Sequence, residues 1–150
     1  MVQIFDIRMP VPKDNEILIK VVASSVNPID YVRREGFMKL VTNEKPDWPA
    51  GMGLDCSGTV AGLGAKVTGY QLGDRVFACK PESGTFAEYC VVTDDVCALL
   101  PADVDFVSGG ATPLAALTAL QGLRAGNIKK CDAVIISGGA GGVGNLMHRT

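Results

Sequence analysis

The sequence predicts a mixed α/β fold with a β-rich first part and a helical second part. Short apolar runs separated by glycines extend from residue 17 to residue 100, a spacing that is typical of a compact all-β unit. Leucines then recur at helical spacing between Val107 and Arg124. A glycine-rich turn follows a short apolar run near the end of the 150-residue chain.

Composition limits the kinds of protein that this chain can be. Hydrophobic residues make up 47% and charged residues 20%, so a core can be buried, and disordered and solenoid classes are excluded. The net charge of −2 argues against nucleic acid or an anionic membrane surface as the main partner. No apolar run is long enough to span a bilayer.

The cysteines and the single histidine argue against metal chemistry. The five cysteines are Cys56, Cys79, Cys90, Cys97 and Cys131. Their odd number, without a C-x-x-C pair or a secretory signal, favours free thiols in a cytoplasmic compartment. One histidine, His148, cannot form a zincin motif, and the cysteines lack the clustering that tetrahedral zinc requires. We therefore expect no metal site, and we expect Cys56 and Cys90 to be small buried hydrophobes.

The first part of the chain is predicted to form short strands. Apolar residues alternate from Ile17 to Ala23, and Asn27-Pro28 ends that strand. A short helix is predicted from Asp30 to about Arg34, stopped by Gly36. Further apolar strand segments are expected at 59–61, 66–67, 75–78, 86–92 and 96–100.

The last part of the chain is predicted to be a helix, a strand and a glycine turn. The helix spans Val107 to Arg124 and ends at Gly126, and residues 133–136 read as a buried strand of a parallel sheet. Gly139, Gly141 and Gly144 then satisfy G-x-G-x-x-G. Such glycines allow a sharp turn, close approach of a diphosphate and tight packing of a helix on a strand. The placement favours a dinucleotide site over a tight structural turn, and the missing Gly-Lys-Ser/Thr excludes a P-loop.

Six further motifs precede that turn in a recognisable order. They are Ser24–Asp30, Gly53–Val60, Val67-Thr68, Gly73–Val76, Gly84–Tyr89 and Pro113–Leu120. With the turn, they resemble the medium-chain dehydrogenase/reductase superfamily, and within it the zinc-independent quinone oxidoreductase-like branch, from about Pro10 to Gly144. The resemblance implies a GroES-like catalytic domain with a connecting helix at 1–124. It also implies a truncated Rossmann domain at 125–150, present as its first strand and glycine turn.

One substitution decides the zinc question within this resemblance. Zinc-dependent members carry Gly-His-Glu where this chain has Gly53-Leu54-Asp55, and leucine cannot ligate a metal. The resemblance implies NADPH-dependent hydride transfer, without zinc, to a quinone or an α,β-unsaturated carbonyl. Two alternatives stay open: an enoyl-thioester reductase, and a non-catalytic truncated module of the same fold. NAD also stays open as the cofactor, because the residue that selects NADP lies beyond Thr150.

The resemblance also implies roles for individual residues. Asn27 would lie beside the nicotinamide and substrate, and Thr118 would contact the carboxamide. Solvent or a hydroxyl such as that of Tyr31 would return the proton. The residues implied at the diphosphate are Gly139, Gly141, Gly142, Val143 and Gly144. Asn27 has a structural alternative as a turn residue, Tyr31 as a packing residue, and Thr118 as a hydroxyl bonded back to a helix carbonyl. For Asp30 we favour a helix cap over catalysis.

The extent of the chain bears on its expected binding. A single βα fragment cannot bury both faces of its strand and supplies only one wall of a cofactor crevice. We therefore expect these 150 residues alone to bind dinucleotide poorly or not at all. A homodimer is implied by the resemblance only, and for a full-length form.

Overall fold

The computed structural model describes residues 2–37 and 51–149, and its first part is built on a five-stranded antiparallel sheet. The strands are β1 (Glu16–Ser25), β2 (Asp55–Leu63), β3 (Arg75–Cys79), β4 (Tyr89–Thr93) and β5 (Cys97–Leu99). Their order across the sheet is β4-β1-β2-β3-β5. The β-rich first part is confirmed, but the strand expected at 66–67 is wrong, because Val67 closes a turn by donating its amide hydrogen to the Gly64 carbonyl.

The core lies against the centre of this sheet. β1 pairs with β2 on one side and with β4 on the other, and Ile17 and Ile19 are fully buried, as their alternation predicts. Burying such a side chain contributes roughly 1.5–3 kcal/mol. Cys56 and Cys90 lie in the same cluster with their Sγ atoms 3.7 Å apart, which confirms them as small buried hydrophobes. All five cysteines are free thiols.

Four helices accompany the sheet in the described ranges. They are α1 (Pro28–Arg34), α2 (Phe106–Ala111), α3 (Pro113–Ala125) and α4 (Gly142–Met147). The single helix predicted over Val107–Arg124 is wrong, because Pro113 has no amide hydrogen and begins a new helix after Thr112. The predicted end at Gly126 is confirmed. None of the helices in the described residues is long and apolar enough to cross a membrane.

Arg75, at the start of β3, binds the segment that connects the sheet to α2. Its guanidinium donates hydrogen bonds to the carbonyls of Pro101, Ala102 and Val104. The same group lies 4.7 Å from the centre of the Phe106 ring, a favourable cation–π distance. The start of β3 and the start of α2 are therefore held together by one side chain.

The strand predicted at residues 133–136 is wrong. These residues belong to no sheet of the described structure, and Ile135 is 98% exposed. A parallel strand requires neighbouring strands at its edges and helices on both faces. The described residues supply neither, so the apolar run stays exposed.

Candidate functional site

A fully buried carboxylate, that of Asp55 at the start of β2, is the centre of the candidate site. Its Oδ2 accepts hydrogen bonds from Ser25 Oγ at 2.7 Å and from Asn27 Nδ2 at 2.8 Å. Its Oδ1 accepts from the backbone amide of Leu114 at 2.8 Å. A buried charge is costly unless it is hydrogen-bonded, and these donors meet that requirement.

The donors come from three different elements. Ser25 ends β1, Asn27 immediately precedes α1, and Leu114 lies in the first turn of α3. Asn27 Nδ2 also donates to Ser25 Oγ at 3.0 Å, so Asp55, Ser25 and Asn27 form a closed ring of hydrogen bonds. We call these three residues the Asp55 ring. It fixes the end of β1 and the start of α1 relative to β2.

Asp30 supports the Asn27 backbone from within α1. Its buried carboxylate accepts a hydrogen bond from the Asn27 amide at 2.7 Å. This is the helix-cap role favoured for Asp30 from the sequence, and it is confirmed. The Asn27 side chain belongs to the Asp55 ring, so Asn27 does more than turn the chain, while its role toward a cofactor stays a prediction.

The Cys79 thiol lies across the sheet from Asp55. The two residues are register partners on β2 and β3. Burial, and then the charge of Asp55, raise the pKa of Cys79 to about 11, whereas Arg33 acts in the opposite direction. At neutral pH this thiol is therefore protonated and a poor nucleophile.

The segment before Asp55 is held by close packing. Gly53 has a φ of +87°, and a Cβ there would lie 2.5 Å from Thr85 Oγ1 and overlap the Phe86 ring. Ser24 Oγ donates to the Asp55 carbonyl at 2.5 Å and contacts the fully buried Thr85 hydroxyl at 3.2 Å. The backbone at Asp55 is thus fixed as firmly as its side chain.

Two other predicted site residues stand outside the Asp55 ring. Tyr31 on α1 is 52% exposed. Thr118 on α3 is exposed, and its hydroxyl donates to the Leu114 carbonyl at 2.7 Å, which is the structural alternative given for it above. Their roles toward a cofactor stay predictions. Leu54, at the position of the histidine of zinc-dependent members, is buried.

The glycine turn precedes α4 and has two special positions. Gly138 has a φ of +71°, so the left-handed residue of the turn lies just outside the G-x-G-x-x-G triplet. A Cβ on Gly144 would overlap the Gly138 carbonyl oxygen and lie 2.7 Å from the Gly139 Cα. Gly144, the last glycine of the motif, therefore makes the close backbone contact expected of it. Its contact is with Gly138 and Gly139 of the turn and not with a strand.

A cavity of about 400 Å³ lies between the glycine turn and the α2–α3 junction. Its lining residues are Ser108, Ala111, Thr112, Ala115, Ala140, Gly141, Gly142, Asn145 and Leu146. A Cβ on Gly142 would meet only the Ala115 Cβ, at 3.8 Å, so the backbone is open there. Gly141 and Gly142 face the cavity as a diphosphate site requires, whereas Gly139, Val143 and Gly144 are not among its lining residues.

The amides at the start of α4 fit an anionic group. The Asn145 amide donates to the Gly141 carbonyl, the first intrahelical bond, so the amides of residues 142–144 have no helical acceptor. Such amides carry the partial positive charge of a helix start. The turn and its cavity therefore offer donors and space for a phosphate-bearing ligand.

The first turn of α3 connects the two regions. The Leu114 amide bonds to Asp55, and the next residue, Ala115, lines the cavity. Sequence reasoning did not assign Asp55 to the site. The signal for it was present, because Asp55 takes the place of the acidic residue in the Gly-His-Glu pattern.

Comparison with known proteins finds a family match and several oxidoreductases to which the chain is similar. Residues 13–102 match the alcohol dehydrogenase GroES-like domain family. The chain is 41% identical over 140 residues to a quinone oxidoreductase of Sus scrofa, across 93% of this chain and 41% of the relative. It is 35% identical over 150 residues to an NADPH-dependent alkenal/one oxidoreductase of Arabidopsis thaliana, across 95% of this chain and 38% of the relative. The chain thus spans about two fifths of the length of these relatives.

Solved structures with the same fold include three enzymes. A quinone oxidoreductase from Coxiella burnetii has a TM-score of 0.86 and 37% identity over 97% of this chain and 47% of that chain. An Escherichia coli quinone oxidoreductase complexed with NADPH has a TM-score of 0.85 and 29% identity over 95% and 43%. The CurK enoyl reductase has a TM-score of 0.85 and 25% identity over 94% and 44%.

Proposed function

Because the chain belongs to the alcohol dehydrogenase GroES-like domain family, in the quinone oxidoreductase-like branch of the medium-chain dehydrogenases/reductases, we propose that it is part of an NADPH-dependent, zinc-independent reductase. The proposed reaction transfers a hydride to a quinone or an α,β-unsaturated carbonyl. The proposal is carried by the match over 95% of this chain to a quinone oxidoreductase solved with NADPH. A Rossmann assignment for residues 125–150, divided from a catalytic domain at 1–124, is part of the proposal.

The residues present fit a dinucleotide at two places. Gly141, Gly142 and the first amides of α4 would hold the diphosphate, and Asn27 would lie at the nicotinamide end. The hydroxyl of Thr118 would have to leave the Leu114 carbonyl, or share its proton, to reach a carboxamide. The chemistry that NADPH supplies when bound is a hydride from its nicotinamide C4.

Two side chains support a reaction without zinc. Leu54 is apolar and buried at the position where zinc-dependent members place a ligand. Asn27 stands near the position where zinc-dependent members place a cysteine ligand, and its amide nitrogen is bound to Asp55 and Ser25. Without a Lewis acid to hold an alkoxide, an acceptor that is already polarised is the better substrate. Tyr31, exposed on α1, or solvent would return the proton.

An enoyl-thioester reductase is the second candidate. The observation that favours it is the match to the CurK enoyl reductase over 94% of this chain. The two candidates differ in the acceptor and share the dinucleotide site, so an acceptor panel separates them.

The experiment compares the chain with an extended form. In the extended form, the aligned residues of this chain replace their counterparts in the Sus scrofa relative, and the rest of that relative is kept. NADPH fluorescence is titrated with both, and NADPH consumption is followed with a quinone, a short enone and crotonyl-CoA. We expect binding and quinone or enone turnover in the extended form, both lost in Asn27→Ala and Gly141→Glu, and poor binding by the 150-residue chain.

Several outcomes would contradict the proposal. Unchanged turnover in both variants would refute the assignment of Asn27 and Gly141 to the site. Stoichiometric zinc bound to the extended form would refute the zinc-independent mechanism. Turnover of crotonyl-CoA alone would favour the second candidate. Absence of NADPH consumption with every acceptor would favour a non-catalytic module. Micromolar NADPH binding by the chain alone would refute the expected weakness of the fragment.

A further inference from the structure

Arg33, in the last turn of α1, carries a charge that no described residue neutralises. The residue is half-buried, and its Nε atom is buried without a hydrogen-bond partner among the described residues. The part of the chain that the structure describes contains three ion pairs, and none of them includes Arg33. By contrast, Arg34 lies 3.5 Å from the Glu35 carboxylate, and Arg75 donates to three carbonyls. A half-buried guanidinium without an acceptor is costly, which indicates that a ligand supplies the acceptor.

The position of Arg33 on α1 connects it with the Asp55 ring. Asn27, Asp30 and Arg33 are spaced three residues apart, so they follow one face of the helix, and Asp30 on that face is buried. Side chains on a helix lean toward its N-terminus, and for Arg33 that is the end at which Asn27 lies. The Arg33 charge also lowers the pKa of the Cys79 thiol, which lies opposite Asp55 on β3. The guanidinium and the Asp55 ring therefore belong to one region of the molecule.

The two buried carboxylates of this region do not take the place of a ligand. Asp30 lies one helical turn before Arg33, yet the two residues form no ion pair, and Asp30 Oδ1 has no hydrogen-bond partner in the described structure. Oδ2 of Asp30 accepts the Asn27 amide at 2.7 Å. Asp55 accepts three hydrogen bonds from its own donors. Arg33 is therefore the positive group of this region that is available to an incoming oxygen.

We propose that Arg33 binds the oxygen of the hydride acceptor, an inference that rests on the proposed function. Hydride addition forms a C–H bond at the acceptor and moves its π electrons to the oxygen, which is a phenolate or an enolate until solvent or Tyr31 protonates it. The electron pair comes from the C4–H bond of NADPH, which is thereby oxidised to NADP⁺. A guanidinium stabilises a negative oxygen by its charge and by its fork of N–H donors. The ligand class is therefore a carbonyl compound whose oxygen becomes anionic.

The first test uses the free 150-residue chain and needs no cofactor. The probe is 2,4-dinitrophenolate, an aromatic oxyanion at neutral pH, and 1,3-dinitrobenzene is its neutral counterpart. We expect the phenolate to shift the Nε–H signal of Arg33 in NMR spectra saturably, by at least roughly twice the shift at Arg34, and the neutral compound to leave it in place. Equal shifts at the two arginines, equal shifts with the two probes, or no shift at Arg33 would overturn the proposal.

Variants of the extended form then connect this site with turnover. Arg33→Gln removes the charge, so kcat/KM for the quinone should fall at least roughly tenfold, while the Kd for NADPH should change by less than about twofold. Arg33→Lys should restore part of the loss, because lysine restores the charge without the fork of donors. Arg34→Gln is the matched control, because Arg34 is the next residue, exposed and near Glu35, and it should keep kcat/KM within about twofold.

The outcomes separate this inference from the proposed function. Wild-type quinone turnover in Arg33→Gln, or an equal loss in Arg34→Gln, would refute the role of Arg33. A rise in the Kd for NADPH as large as the loss of kcat/KM would assign Arg33 to the cofactor and would also refute it. If Arg33→Gln does not fold, Arg33→Lys and the titration of the wild-type chain decide. If the extended form consumes no NADPH with any acceptor, the proposed function fails, and the phenolate titration still decides whether Arg33 binds an oxyanion.

Discussion

The backbone amide of Leu114 donates a 2.8 Å hydrogen bond to Asp55 Oδ1, although the two residues are 59 positions apart. The donor is available because α3 begins at Pro113, and amides in the first turn of a helix have no intrahelical acceptor. The proline that divides the helical segment therefore also provides the contact between helix and sheet.

Replacing the buried carboxylate should strongly destabilise the fold. Asp55→Ala leaves the Leu114 amide, the Ser25 hydroxyl and the Asn27 amide without their acceptor in a buried place. We expect the free energy of unfolding to fall by about 2–4 kcal/mol, measured by urea denaturation. Asp103→Ala, an exposed carboxylate, is the control and should change it by less than about 0.5 kcal/mol. A loss below about 1 kcal/mol at Asp55 would contradict the prediction.

Adding one methyl group to the glycine turn should loosen the start of α4. A Cβ at Gly144 would overlap the Gly138 carbonyl oxygen, whereas a Cβ at Gly142 meets only a methyl group at van der Waals distance. In Gly144→Ala the Asn145 amide, which bonds to the Gly141 carbonyl, should exchange with solvent at least roughly tenfold faster. Gly142→Ala should leave that exchange nearly unchanged. Equal exchange rates of the Asn145 amide in the two variants would show that the contact between Gly144 and Gly138 does not stabilise the start of α4.

Gly53 and Gly69 form a matched pair that separates crowding from backbone strain. Both have φ above +80°, but a Cβ at Gly69 meets nothing within 4 Å, whereas one at Gly53 collides with Thr85 and Phe86. Gly69→Ala should therefore cost about 1 kcal/mol from conformation alone. Gly53→Ala should cost a further 1–3 kcal/mol or so, seen as a lower Tm in thermal unfolding. If the two variants have the same Tm, the packing described around Gly53 is wrong.

The Tyr70 phenol should make stability depend on alkaline pH. Burial, with Cys97 nearby, raises the pKa of Tyr70 from 10.0 to about 12, and its hydroxyl donates to the Cys97 carbonyl at 2.6 Å. A pKa that is higher in the folded state gives stability that is fully present below pH 10 and is lost as the pH rises toward 12. The Tm of the wild-type chain should fall more steeply between pH 10 and 12 than that of Tyr70→Phe. Parallel Tm profiles would contradict this.

Local patterns predicted the parts of the fold that depend on nearby residues. The alternation from Ile17 to Ala23 gave β1, and the predicted break at Asn27-Pro28 is where α1 begins. The continuous helix over Val107–Arg124 failed at Pro113, where a proline in the sequence already argued for an interruption. The prediction of a strand at residues 133–136 failed for another reason, because a parallel strand exists only where other strands pair with it.

The candidate site was predicted in part for the same reason. Asn27 and the glycine turn were found from local motifs. Asp55 was missed as a site residue although it takes the place of the acidic residue in the Gly-His-Glu pattern, because its donors lie 28, 30 and 59 positions away and no local pattern records those contacts. The hydrogen bonds of the Asp55 ring could likewise be seen only once those chain segments were brought together.

The side chain at position 55 joins the end of β1, the start of α1 and the first turn of α3 to β2. Randomising that position would therefore yield few folded variants, since three hydrogen bonds share its buried carboxylate as their acceptor. Libraries built at exposed positions such as Tyr31 would avoid that loss.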